Sequence, residues 1–585
     1  MLRRIGRFFV AILATVGALV VASIGFWLFV ILSDSPAPMP SRVLLTLDLD
    51  KGVAEAPADT PLALVTGQHD YVLRDVVDAL AVASADPRVQ GLFVTLDGAK
   101  LPMAQAQELR RAVLAFRQAG KKALVFSHTL GEMGPATIDY YLASAFGEIW
   151  LQPSGDLAIT GFRLESPFLN EALVDLGIQP QVAARHEFKS AHEIVTRTGF
   201  SREAKATLGG LIDSWVEQVV AGIAETRKLD PAVVRKLIDT APLMAAEAKD
   251  AGLVDRLGYA GDARLALAPD EVDRMDVRDY LDRAGRPGDK ADKKIALIYG
   301  VGQVMLGGDE GGAFDDGSRM TVDKLVGAFR DAALDEDVEA ILFRVDSPGG
   351  SYVASDAIYD AVREARAAGK PVVVSMGNMA ASGGYFVSMP ASLIFAEPGT
   401  VTGSIGVFAG KVALAEFWPK LGIHWDSLER GANSSIWSLN EPFSESAWKR
   451  LNLILDRIYA DFTGKVGQTR NLTPEKLDEV ARGRVWSGAD AHRLGLVDRL
   501  GGLGDGLAAA KELAGLPPGR EVAVTVFPKP KRPIVLLFEA LEAGGVTAHG
   551  LGVLATRLNR LGTIAEPLLR GVETRPGALR APDLR

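Results

Sequence analysis

An internal duplication is the feature that most constrains the fold of this 585-residue chain. The segment DPRVQGLFVTLD, which ends at Asp97, resembles DEDVEAILFRVD, which ends at Asp346. Further along, AKDAGLVDRLG, ending at Gly258, resembles ADAHRLGLVDRLG, ending at Gly501. A repeat of this length predicts two folded domains of one architecture rather than a single large core.

The duplication predicts the domain boundaries. The first copy is expected to be separated from the second by the polar linker DRAGRPGDKADKK. The predicted segments are an N-terminal anchor and tether (1–40), the first copy (41–279), the linker (280–292), the second copy (293–517) and a C-terminal extension (518–585).

Both copies alternate between two kinds of segment. Short apolar runs such as ALIYGV, AILFRV and PVVVSM are followed by segments of helical period such as SDAIYDAVREARAAG. This alternation predicts an α/β fold with a buried parallel sheet in each copy. In such sheets the loops that follow the carboxyl ends of strands carry the chemistry.

The N-terminal segment predicts a membrane anchor. Residues 8–32, FFVAILATVGALVVASIGFWLFVIL, contain no charge and are long enough to cross a hydrocarbon core of roughly 30 Å. Arg3, Arg4 and Arg7 precede the run, so the N-terminus is expected in the cytoplasm and all that follows outside it. A cleaved signal peptide is the alternative, but its apolar region is usually shorter.

Composition excludes several classes of site and partner. The formal net charge of −9 provides no basic field for nucleic acid, and the absence of cysteine excludes disulfides and thiolate metal sites. The spacing from His186-Glu187 to His192 does not place both rings on one helical face as a zinc motif would. We therefore predict no metal and no cofactor.

Two loops in the second copy have the composition of a catalytic site. Residues 346–351, DSPGGS, place two glycines between a predicted strand and a predicted helix, where backbone amides can point at a ligand. Residues 377–385, GNMAASGGY, place Ser382 between small residues, where its hydroxyl can be presented to a carbonyl group. Each loop taken alone is also compatible with an ordinary turn.

Three segments in this order, DSPGGS, GNMAASGGYFVSMPAS and GTVTGSIGVF, resemble the signature of the signal peptide peptidase A family in the Clp-protease/crotonase superfamily. The resemblance extends over both copies and nearly the full length. It implies two tandem Clp-protease/crotonase-like β/α superhelical domains and a serine endopeptidase with a Ser/Lys dyad. It also implies site roles: Ser382 as nucleophile, Ser404 as the residue that orients the lysine, and Gly349, Gly350 and Gly383 as the oxyanion hole.

Comparison of the two copies identifies the lysine. The family's lysine motif matches GIQPQVAARHEFKSAHE of the first copy at Lys189, where the second copy has RGANSS. Conversely, the first copy has SHTLGEMGPATIDYY instead of the serine loop and DGAK instead of the glycine turn. The copies are therefore predicted to share one active site, with Lys189 as general base. A free lysine has a pKa of about 10.4, which burial can lower by up to 3–5 units.

The resemblance further implies the setting of the reaction. The substrates would be cleaved signal peptides and unfolded hydrophobic peptides, and the protein would be a single-pass bacterial inner-membrane protein with periplasmic catalytic domains, assembled as a homotetramer. Two alternatives remain open at this point: a crotonase-type acyl-CoA enzyme, which would need carboxylates near the glycine turn, and a catalytically silent membrane scaffold.

Overall fold

The computed structural model describes residues 38–57, 71–268, 272–307, 319–517 and 519–529. The predicted membrane span at 8–32 and most of the predicted C-terminal extension lie outside these ranges. Within the described ranges, no helix is both long and apolar enough to cross a membrane.

The first half contains strands of two to seven residues and helices of four to 26 residues. In chain order its strands are β1 (Val43–Asp48), β2 (Val53–Ala54), β3 (Tyr71–Val72), β4 (Val89–Thr95), β5 (Lys122–Ser127), β6 (Glu148–Leu151), β7 (Asp156–Leu157), β8 (Gln179–Ala184), β9 (Leu243–Met244), β10 (Arg256–Leu257) and β11 (Asp273–Asp276). Its α-helices are Leu73–Ala85, Met103–Gln118, Thr137–Ala143, Asn170–Asp175, Glu193–Thr196, Arg202–Arg227, Pro231–Thr240, Ala245–Asp250, Ala260–Leu267 and Val277–Ala284.

The second half repeats this pattern. In chain order its strands are β12 (Lys294–Val301), β13 (Gln303–Met305), β14 (Arg319–Thr321), β15 (Val338–Ser347), β16 (Val372–Ala381), β17 (Leu393–Ala396), β18 (Val401–Gly403), β19 (Phe408–Ala413), β20 (Val485–Ser487), β21 (Arg499–Leu500) and β22 (Ala523–Phe527). Its α-helices are Val322–Leu334, Tyr352–Ala367, Gly383–Ser388, Phe417–Lys420, Glu445–Arg470, Pro474–Val480, Gly488–Arg493 and Leu503–Leu513.

Each half is built on one sheet with the same topology. The first sheet has the order β10-β6-β5-β4-β1-β11, and the second has the matching order β21-β17-β16-β15-β12-β22. All of these pairs are parallel. Strand β18 also pairs parallel with β16, and β20 pairs antiparallel with β18. The predicted α/β class, parallel sheets and duplication are confirmed. Helix Val277–Ala284 crosses the predicted boundary at 279. Strand β22 lies beyond the predicted boundary at 517 and pairs with β12 of the second half.

The matching helices of the two halves begin and end in the same way. Ser201 and Ser444 each accept a hydrogen bond in the first turn of a 26-residue helix, Arg202–Arg227 and Glu445–Arg470. Both helices end in a residue of left-handed conformation, Lys228 in one and Asn471 in the other. The two helices therefore have equal length and matching capping residues at both ends.

A two-stranded ladder joins the halves. Strand β8 of the first half pairs antiparallel with β19 of the second, from Ala184 opposite Phe408 to Gln179 opposite Ala413. This pairing satisfies the backbone polar groups on the facing edges of the two strands, which would otherwise be exposed. It also directs the chain that follows β8 onto the surface of the second half.

A buried ion cluster forms a second junction. Arg344 lies in the middle of β15 with 0% exposure. Its guanidinium pairs with Glu55 and, at 2.6 Å, with Glu108, both from the first half, and donates to Ser375 Oγ at 2.8 Å. A charge in a buried strand is tolerated because opposite charges accompany it. The second half therefore carries a cation whose counter-ions come from the first.

We predict that Arg344→Met destabilises the protein by about 3–5 kcal/mol, because it leaves two carboxylates buried without their cation. The free energy of unfolding in denaturant measures the effect. Arg363→Met is the matched control: its pair with Asp360 is exposed, so the loss should stay within about 0.5 kcal/mol. Equal losses in the two variants would show that the buried cluster does not hold the halves together.

Candidate active site

The site forms where β15 and β16 end side by side. These strands are parallel, and Ser347 at the end of β15 lies opposite Ala380 near the end of β16. The glycine turn that follows β15 and Ser382, which follows β16, are therefore brought together at the same edge of the sheet. This is the edge at which α/β proteins place their functional loops.

Ser382 has an unusual backbone conformation. Its φ of 54° and ψ of −116° lie outside the regions that residues with side chains normally adopt. The residue precedes the helix Gly383–Ser388, and its N–H donates to Gly403 O at 2.9 Å. A sharp strand-to-helix turn of this kind directs a serine hydroxyl away from the backbone.

The glycine turn packs against Ser382 so closely that no side chain fits. A Cβ at Gly349, whose φ is +101°, would lie 2.6 Å from Gly383 N and 2.8 Å from Ser382 Cβ. A Cβ at Gly383 would lie 3.0 Å from Gly350 N. The amides of Gly350 and Gly383 therefore lie near each other beside Ser382.

Of the backbone amides of Gly349, Gly350 and Gly383, the last two are available to a ligand. The Gly349 N–H donates to Ser347 Oγ at 3.1 Å. The Gly350 N–H has no protein acceptor among the residues that the structure describes. Gly383 is the first residue of its helix, so its N–H has no acceptor within that helix.

Lys189 of the first half reaches this position. Its Nζ lies 3.1 Å from Ser382 Oγ, 2.9 Å from Ser404 Oγ and 2.8 Å from Ser404 O. The residue is only 5% exposed, and burial lowers the pKa of its amine to about 7. A large fraction of this amine is therefore neutral near neutral pH. The structure thus brings together all the residues that the sequence singled out.

The segment before Lys189 is fixed on the second half by side-chain contacts that the sequence analysis did not anticipate. There are three such contacts: two ion pairs and one cation–π contact. They are Arg185 with Asp456 at 2.6 Å, Glu187 with Arg482 at 2.8 Å, and Phe188 under the Arg484 guanidinium at 3.8 Å.

Two backbone features of the second half shape the lysine's binding site. A Cβ at Gly483, whose φ is +90°, would lie 2.6 Å from Lys189 Cα, so only glycine allows the lysine segment to approach. Ser404 has a φ of 51° and donates its N–H to Arg484 O at 2.6 Å. Gly483 lies in ARGRVWSG, which matches no motif, so its role became visible only in the fold.

Asp346 links the two strands that carry the site. Its Oδ1 accepts the Met379 N–H at 2.8 Å, which ties the end of β15 to β16. Burial, with a smaller contribution from Glu55, raises the pKa of Asp346 to about 6. Because its carboxylate is engaged in this way, we assign Asp346 a structural position and not a catalytic one.

A weakly basic amine beside a hydroxyl, with two free amides nearby, is an arrangement suited to acyl transfer. Comparison with known proteins agrees with this chemistry. Residues 115–272 and 364–517 both match the family described as Peptidase family S49, once in each half.

Similar proteins cover most of the chain. This chain is 31% identical to "Protease 4" of Salmonella typhi, over 85% of this chain and 82% of that protein. It is 30% identical to "Protease 4" of Haemophilus influenzae, over 81% and 80%. It is 29% identical to "Serine protease SPPA, chloroplastic" of Arabidopsis thaliana, over 77% and 66%. With these matches in both halves, the chain belongs to peptidase family S49 and is a serine protease.

Proposed function

We propose that this protein is a membrane-anchored endopeptidase that degrades signal peptide remnants and other hydrophobic peptides, with Ser382 as nucleophile and Lys189 as general base. The observation that carries the proposal is the 3.1 Å separation between Lys189 Nζ and Ser382 Oγ, at a lysine that is almost fully buried. A buried amine without its proton can act as a base near neutral pH.

In the proposed first step, neutral Lys189 takes the proton of the Ser382 hydroxyl while Oγ attacks the peptide carbonyl carbon. The resulting ammonium then gives this proton to the leaving amine, and an acyl-enzyme remains. Lys189 next takes a proton from water as the water oxygen attacks the ester carbon. The ammonium then returns this proton to Ser382 Oγ as the bond from Oγ to the acyl carbon breaks and the acid is released. Ser404 supports the cycle because its Oγ and carbonyl oxygen both lie within hydrogen-bond distance of Nζ.

The developing negative charge is placed between two amides in this proposal. Gly350 and Gly383 supply the N–H donors, since both lie beside Ser382. The Gly350 N–H has no protein acceptor among the described residues, and the Gly383 N–H has no acceptor within its helix. Gly349 was predicted as part of the same group. Its N–H is engaged by Ser347, so we assign it the turn that lets the other two converge.

The rest of the proposal rests on the family resemblance and the sequence. Each half is proposed to be a Clp-protease/crotonase-like superhelical domain, with boundaries near 41–279 and 293–517, and residues 8–32 to be the anchor in a bacterial inner membrane. The catalytic domains would be periplasmic and the assembly a homotetramer. Relatives named as proteases favour this function over the acyl-CoA enzyme and the silent scaffold.

We expect Ser382→Ala to lower kcat/KM for an apolar peptide by at least about 10⁴-fold, because no other hydroxyl can form the acyl-enzyme. A fluorophosphonate probe should label the unsubstituted protein and not the variant. Ser434→Ala, at an exposed serine, serves as the control and should keep both activity and labelling. Substantial turnover by Ser382→Ala would place the nucleophile elsewhere.

The depressed pKa of Lys189 predicts the pH dependence. Only the neutral amine accepts a proton, so kcat/KM should rise with pH along one limb with a midpoint near 7. Lys189→Arg keeps the charge but cannot deprotonate, so it should be inactive across the whole range. Lys420→Arg, at an exposed lysine, should keep the limb. A pH-independent rate from 5 to 9 would remove Lys189 from the mechanism.

The proposed anchor can be tested by extraction. The full chain should remain in the membrane pellet after an alkaline carbonate wash, whereas a chain beginning at residue 38 should be released. Alkaline phosphatase fused after Arg585 should be active, because this reporter works only outside the cytoplasm. An inactive reporter on a membrane-bound chain would contradict the proposed orientation.

A further inference from the structure

The first turn of one helix of the first half touches the strand that leads to the nucleophile. Helix Met103–Gln118 begins after Pro102, whose ring offers no side-chain acceptor for the free amides of the first turn. The matching helix of the second half, Tyr352–Ala367, begins after Ser351, whose Oγ accepts the Ala354 N–H at 3.3 Å. The first-half helix therefore depends on another part of the chain for its cap.

Asn378 supplies this cap from the second half. Its Oδ1 accepts the N–H of Gln105, the third residue of the helix, at 3.1 Å. A backbone N–H can only donate, so the side chain is held with its oxygen toward the helix and its nitrogen toward Asp346 Oδ2, 3.5 Å away. Asn378 lies in β16, four residues before Ser382. The cap thus ties the first half to the strand that leads to the nucleophile.

Gln107, two residues further along the helix, contacts the segment that leads into β18. Its Oε1 accepts the Gly399 N–H at 2.7 Å, and its Nε2 donates to Gln218 Oε1 at 2.8 Å. Trp215, also of the first half, donates its indole N–H to the Gly399 carbonyl at 3.0 Å. Both backbone polar groups of Gly399 are therefore satisfied by the first half.

Gly399 lies so close to this helix that no side chain fits there. A Cβ at this position would lie 2.9 Å from Gln107 Oε1 and 3.1 Å from Met103 Cβ. Strand β18 begins two residues later, and Gly403 at its end accepts the Ser382 N–H at 2.9 Å. The first half thus fixes the start of the strand whose end holds the backbone of the nucleophile.

Strands β16 and β18 are joined to each other beside these contacts. They pair in parallel, Thr400 Oγ1 donates to Gly377 O at 2.8 Å, and Thr402 Oγ1 donates to Ala380 O at 2.7 Å. Both threonines are fully buried. A shift of either strand relative to the helix would therefore carry the other strand with it, and the nucleophile would move relative to the amine.

We propose that Asn378 and Gln107 are positioning residues that set the place of Ser382. The inference rests on the proposed peptidase function. The first half then contributes twice to that chemistry, since it supplies Lys189 and also holds the two strands that present the nucleophile to it. The 3.1 Å separation of Nζ and Oγ is sensitive to such an arrangement, because a displacement of about 1 Å can lower a rate about 10²-fold.

The first test is Asn378→Ala in the full chain, with an apolar peptide as substrate. Loss of the cap should lower kcat about 10–100-fold while KM changes by less than about twofold, because the change acts on the position of Oγ and not on peptide binding. The rate of labelling by the fluorophosphonate probe should fall by a similar factor. An unchanged kcat in the variant, with its fold checked by circular dichroism, would overturn the proposal.

A matched cap elsewhere separates positioning from general stability. Asp230 accepts the Ala232 N–H at 2.7 Å at the start of helix Pro231–Thr240, which is also in the first half. Asp230→Ala removes the same kind of bond, so both variants should lower the melting temperature by similar amounts. Only Asn378→Ala should lower kcat. Equal losses of kcat would point to general destabilisation and would contradict a positioning role.

Gln107→Met tests the second contact. Methionine has a similar length but lacks a strong acceptor for the Gly399 N–H, so kcat should again fall at nearly constant KM. Gln118→Met, at an exposed position at the end of the same helix, is the control and should keep the full rate. If Asn378→Ala does not fold, this pair decides alone, and equal rates in the two methionine variants overturn the proposal.

The peptidase proposal is measured separately, on the unsubstituted protein. If that protein cleaves the peptide and the variants at Asn378 and Gln107 match it, the positioning inference is wrong and the peptidase proposal stands. If it neither cleaves the peptide nor reacts with the probe, the peptidase proposal itself fails.

Discussion

Burial of one amine is the constraint on which the rest of the structure depends. Lys189 Nζ has to leave water in order to lose its proton, and no local element of the first half can enclose it. The enclosure is supplied by the second half, through Ser404 and the close approach of Gly483. The contact between halves must therefore be dry and rigid, since water at Nζ would restore the ammonium.

Three contacts between the halves help to keep the surroundings of Lys189 Nζ rigid, and they lie at different distances from this atom. The β8–β19 ladder fixes the backbone that leads to Lys189, and the pair Glu187–Arg482 fixes the residues just before it. The Arg344 cluster lies further away, in the middle of β15, and holds the strand from which the glycine turn emerges. Removal of a counter-ion there would act on the site through the position of this strand.

The sequence was sufficient for the architecture and for the residues that meet at the candidate site. Repeated segments predicted two α/β halves, and the loss of the lysine motif from the second copy pointed to Lys189. The partners of Arg344 could not be predicted, because Glu55 and Glu108 are distant in sequence and match no motif. Pairing of β8 with β19 is likewise a long-range event that local pattern does not encode.

The ladder between β8 and β19 has a consequence for the order of synthesis. Ribosomes complete the first half before Phe408–Ala413 exists, so β8 emerges without its partner and Lys189 remains solvated and protonated. In the mechanism proposed above, hydrolytic competence appears only when the elements of the second half that enclose the lysine have folded around it. A nascent chain that lacks these elements would then be unable to cleave peptides, because its proposed general base would still be an ammonium.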